Sequence, residues 1–154
     1  ILSCAATPED AQFIEALEIL AASKNPRKLA QTKLSDAQHW TALHIASLSN
    51  PPLYIIYALL LVYPEAAREV DSDGRLPLHL AAGSDSSVCV VNAITRFNND
   101  AVCAKDSRGF IPLHLALLRD GKEEIKIDAL RILLGQSQGI IGASLLAPGY
   151  SGDH

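Results

Sequence analysis

DAQHWTALHIA at residues 36–46, DSDGRLPLHLA at 71–81 and DSRGFIPLHLA at 106–116 decide the architecture, because they are one phrase written three times. Asp36, Asp71 and Asp106 open the blocks, and His44, His79 and His114 fall in register at a spacing of 35 residues both times. A fixed period of about 20 to 50 residues marks a repeat protein and sets the layout before any element is assigned. The repetition runs past the quoted blocks: IIYALLLVYPEAAREVD (55–71) lies over VVNAITRFNNDAVCAKD (90–106) without a gap. In the third unit DGKEEIKIDALRILL (120–134) fits with one extra residue ahead of Ala129, an insertion expected in a loop.

Each block has a physical reading. The opening Asp can accept hydrogen bonds from turn backbone, and Gly74 and Gly109 supply the positive φ that other residues resist. Pro77 and Pro112 stand where a helix begins, since the first helical position tolerates a missing N–H, so first helices are expected from about Leu78 and Leu113. The apolar segments Tyr54–Val62, Val88–Phe97 and Ile125–Leu134 read as second helices, the first of them ended by Pro64. A turn–helix–loop–helix unit of this size cannot bury its own apolar face, so neighbours must stack. The expected fold is all-α: a solenoid of stacked helix–turn–helix units joined by β-hairpin-like turns.

The TALHIA and PLHLA cores, the preceding Asp-x-x-Gly and the period resemble ankyrin repeats, over about Leu34 to Leu134. The chain then divides into a capping helix and lead-in (1–34), three repeats (35–69, 70–104, 105–134) and a non-repetitive tail (135–154). Repeat one departs from the pattern, with His39 at the turn glycine and Ala42 at the proline, although histidine tolerates positive φ better than most residues. Leu76 and Ile111 replace the usual threonine, which removes a side-chain cap worth about 1 kcal/mol each. The resemblance implies that His44, His79 and His114 hydrogen-bond across the turns and order the stack. A shared metal is excluded, because stacked helices lie about 8 to 10 Å apart whereas zinc holds its nitrogen ligands at about 2.1 Å.

At the ends, Thr7-Pro8-Glu9-Asp10 followed by Phe13, Ile14, Leu17 and Leu20 reads as an N-capped amphipathic helix broken at Asn25-Pro26. Beyond Gly135 the sequence is glycine-rich without a helical period, yet it carries Ile140, Ile141, Leu145, Leu146 and Tyr150, so the chain's last repeat or a partner is expected to pin it.

Composition narrows the function. Charged residues make up 19% of the chain against about 25% in an ordinary soluble domain, a hint that part of the surface is covered. A net charge of −4 without a Lys/Arg cluster argues against nucleic acid. Cys4, Cys89 and Cys103 leave an odd thiol and lie in no CxxC spacing, so neither a disulfide framework nor a zinc site is expected, and a reducing intracellular compartment is the default. The longest apolar run, from Leu53, falls short of the roughly 18 residues a spanning helix needs. The absence of an initiator methionine places these residues downstream of the start of a longer or processed product. Ser35-Asp36 with His39, and Glu123-Glu124, are the nearest approach to catalytic groups; the adjacent carboxylates do not share a helix face, and no phosphate loop or nucleophile elbow is present.

The expectation is therefore a non-catalytic module without cofactor or small-molecule substrate that binds a protein partner or belongs to a multi-subunit complex. The alternatives are a structural subunit embedded in such a complex and a regulatory domain of a longer enzyme. The resemblance places the contact residues on the concave face: Gln38, Trp40, Leu48 and Ser49, then Asp73, Arg75 and Ser84, then Arg108, Phe110, Leu118 and Arg119. Trp40, Arg75 and Phe110 recur at one turn position, where local packing over the neighbouring turn is the competing role. A second surface is expected at Tyr57, Leu60 and Leu61, which share one helix face and stand where the next unit has Asn92, Thr95 and Arg96. A partner, the tail or the N-terminal helix would cover it.

Overall fold

The computed structural model describes residues 22, 24–31, 37–120 and 123–145. Among them the protein is all-helical. Helix α1 (Pro26–Gln31) opens at a proline, as the first turn allows. The first unit holds α2 (Ala42–Ser49) and α3 (Leu53–Val62), the second α4 (Pro77–Gly83) and α5 (Val88–Phe97), the third α6 (Pro112–Leu118) and α7 (Glu123–Leu145). Short 3-10 turns follow α3 at Pro64–Arg68 and α5 at Asn99–Cys103. They carry the chain from each second helix back toward the next turn.

The helices form two rows. In one, α2 packs on α4 and α4 on α6; in the other, α3 packs on α5 and α5 on α7; within each unit the two helices also meet. Leu43, Leu78, Ile56, Leu60, Val90, Val91, Ile94 and Leu133 fill the space between the rows. Every residue of α4 from Pro77 to Ala82 is buried, as expected for a helix with neighbours on three sides.

Four expectations change. No strand forms among the described residues, so the connections are not hairpins. Each is a tight turn closed on itself, by Asp71 N–H to Arg75 O (2.9 Å) and Gly74 N–H to Asp71 O (3.0 Å) in the second unit, which leaves too few paired residues for a ladder. The extra residue ahead of Ala129 falls inside α7, which opens at Glu123, one period of 35 residues after α5 opens at Val88. Helix α7 also continues through Gly135 to Leu145, where a glycine-rich tail was expected. A glycine costs a helix interior only about 1 kcal/mol, and no proline interrupts the sequence before Pro148. Finally, Cys89 is disulfide-bonded, while Cys103 is a free, exposed thiol. An odd cysteine count leaves one thiol over but does not forbid a bridge. The expected N-terminal helix at Phe13–Leu20 and the end of the tail lie outside the described residues.

Candidate functional site

The turns are built by their aspartates. Asp71 Oδ1 accepts the N–H groups of Asp73 (2.9 Å) and Arg75 (2.8 Å); Asp106 Oδ1 accepts those of Arg108 (2.9 Å) and Phe110 (2.8 Å). Burial opposes ionisation of both carboxylates. The turn N–H groups and nearby arginines outweigh it, joined at Asp71 by the Trp40 indole, and both acids are held below the ordinary range. Gly74 and Gly109 take the left-handed conformation at φ 70° and 84°, and His39 does so at 57° in the unit that lacks glycine.

Successive turns are joined by backbone and histidine. Ser72 N–H donates to Gln38 O (3.0 Å) and Ser107 N–H to Asp73 O (2.9 Å). His79 Nδ1 accepts the Leu76 N–H (3.1 Å) while Nε2 donates to Phe110 O (3.0 Å). His44 repeats this with Thr41 N–H (3.2 Å) and Arg75 O (3.1 Å), adding the Thr41 hydroxyl at 2.9 Å. A carbonyl can only accept, so both rings are the neutral Nε2–H tautomer. Burial pushes both pKa values down. The imidazole thus satisfies the backbone N–H of Leu76, the residue that precedes α4, while the apolar Leu76 side chain leaves the helix without a side-chain cap. His114 accepts the Ile111 N–H at 3.3 Å, but its ring is exposed, because no further turn follows it among the described residues.

The expected contact residues separate into three groups. Gln38, Asp73 and Arg108 are exposed on the turn tips, and Leu48, Ser49 and Leu118 are exposed at the ends of first helices. Trp40, Arg75 and Phe110 are half-buried and engaged locally. The Trp40 indole donates to Asp71 Oδ2 at 3.2 Å; Arg75 pairs with Asp71 and Asp73, each at 2.9 Å; Arg108 lies 5.1 Å over the Phe110 ring. Ser84 is half-buried, its hydroxyl bonded to Ser47 O at 3.1 Å.

Arg119 leaves the set: it is only 7% exposed, and its guanidinium donates to Ser84 O, tying the third unit to the second. Leu60 leaves the second surface, being wholly buried between the rows, and Tyr57 packs against the same core. Leu61 alone of that trio is open, at 58%. Helix α1 covers the neighbouring side of α3, and its Arg27 pairs with Glu65 at 2.9 Å.

A second seam was missed from sequence. At the loop end of the units Ser47 O also accepts the Ser86 hydroxyl, and Asn50 Oδ1 accepts Ser87 N–H at 2.8 Å. Asn50 before Pro51-Pro52 was the available signal: asparagine enters the left-handed region easily, and it does so here at φ 47°.

Among the described residues no group of three His, Cys, Asp or Glu side chains could hold a metal, and no helix is long and apolar enough to cross a membrane. Compared with models of known protein families and with curated proteins, the chain matches none of either.

Proposed function

We propose that this chain is an ankyrin-repeat solenoid whose three units, residues 35–69, 70–104 and 105–134, present a binding surface for a partner protein, and that it is not itself a catalyst. The observation that carries the reading is the row of turn tips. Gln38, Asp73 and Arg108 hold exposed side chains, the first two on backbones fixed by the inter-turn hydrogen bonds and the third on a backbone held by Asp106. Side chains presented this way meet a partner without a large ordering cost. Leu48 and Ser84 extend the surface along the first helices, and Trp40, Arg75 and Phe110 act mainly by stiffening the tips.

The test is affinity capture from the native source followed by mass spectrometry, with wild type, a Gln38→Ala/Asp73→Ala/Leu48→Ala variant and a Leu61→Ser variant. A partner kept by wild type and Leu61→Ser but lost by the triple variant is the expected result. Retention of every partner by the triple variant overturns the assignment of the tips.

A further inference from the structure

We propose that the face behind the third unit is a self-association surface, through which two copies of this protein pair about a twofold axis with α6 packed against its mate. Comparing equivalent positions reveals the face. His44 and His79 are wholly buried, as are Ser47 and Ala82, whereas the third-unit equivalents His114 and Leu117 are exposed, Leu117 by 51%. What covers these positions in the first two units is the unit that follows.

The third unit is not shaped for a fourth of the same kind. A Cβ on Gly83 would lie 3.3 Å from Leu115 Cβ, so α4 and α6 approach closely over the small residues Ala82 and Gly83. Their counterparts are Leu117 and Leu118, the latter 67% exposed. A helix at the same spacing would collide with Leu117, which stands where α2 and α4 carry the small, buried Ser47 and Ala82. Leucines here call instead for an apolar helix whose side chains interdigitate with theirs, while the ends of a stack ordinarily carry polar residues.

Charge selects a second copy as the occupant. Arg108 is exposed just before α6, and Asp120, Glu123 and Glu124 are exposed just after the helix. Helix α6 spans only about 10 Å. A twofold axis perpendicular to α6 sets it antiparallel to its mate and lays each copy's Arg108 beside the other's acidic end, with the leucines between. A parallel, head-to-tail arrangement matches neither end. The pairing continues the row α2, α4, α6 by one helix.

Sedimentation equilibrium from low to high micromolar concentration tests this, with circular dichroism confirming that each variant keeps its helices. Wild type should approach twice the 16.5 kDa of one chain. Leu118→Glu should weaken the dimer at least about tenfold, and Leu61→Glu on another face should not. Arg108→Glu should weaken it too, and adding Glu123→Arg/Glu124→Arg to that variant should restore it. A monomer at every concentration overturns the proposal, as does a dimer indifferent to Leu118→Glu. Should Leu118→Glu lose its helices, the Arg108→Glu loss and its rescue decide, and a dimer blind to both overturns the proposal.

Discussion

Replacing Gly74 and Gly109 by alanine separates two costs that usually come together. Both residues are left-handed, at φ 70° and 84°, so either alanine is strained by about 1 to 2 kcal/mol. Part of that is offset by about 0.4 to 1 kcal/mol of lost freedom in the unfolded chain. The net cost of Gly109→Ala is therefore about 1 kcal/mol, since nothing lies within 4 Å of where its Cβ would stand. At Gly74 the same Cβ would meet Ser107 Oγ at 2.8 Å and Ser107 N at 3.1 Å. The hydroxyl can rotate away; the backbone nitrogen cannot. Moving it strains the Ser107 N–H to Asp73 O bond that joins the second turn to the third, worth about 1 kcal/mol. Gly74→Ala should thus cost about 2 kcal/mol, twice its neighbour. Urea unfolding followed by circular dichroism measures both, provided the transition is single for each variant. His39→Gly is the internal control, and it should stabilise, because it relieves φ 57° at a residue with a Cβ. Equal costs at Gly74 and Gly109 would show that the contact between turns is not felt in stability. A destabilised His39→Gly would refute the strain argument itself.

Acid should unfold the protein in two stages. His44 and His79 have pKa values lowered by burial, so the unfolded chain binds their protons more readily. Their contribution is complete above about pH 6.5 and is lost as pH falls below it toward the lowered values. Asp71 and Asp106 are held below the ordinary carboxylate range, so their contribution persists until about pH 4 and then fails in turn. The urea midpoint should drop between neutral pH and pH 5, and an unchanged midpoint there would contradict the burial of two neutral imidazoles. Leu60→Ala should cost about 2 to 5 kcal/mol and Leu61→Ala less than about 0.5. Thermal melts giving similar losses for both would contradict the burial of the one and exposure of the other.

Much of the turn chemistry was legible because it is local and written three times. The aspartate, the glycine three residues on and the histidine all act within one block or on the next, so their spacing carries their partners. Burial on the second helices was misread for a different reason. Tyr57, Leu60 and Leu61 stand opposite Asn92, Thr95 and Arg96, a contrast of polarity that suggests a contrast of exposure. Thr95 is nevertheless only 1% exposed, its hydroxyl satisfied by Val91 O at 2.7 Å. Leu60 and Thr95 are therefore both interior, while Leu61 and Arg96 are both open: environment follows position in the repeat, and side-chain type does not report it. A threonine within reach of the carbonyl four residues back can be buried at little cost, since it brings its own acceptor. The same rule of position has a limit at the last unit, where His114 and Leu117 hold places that are interior in the first two units and are open here. Sequence spacing names the place a residue occupies in a repeat, but its burial there depends on whether another surface follows.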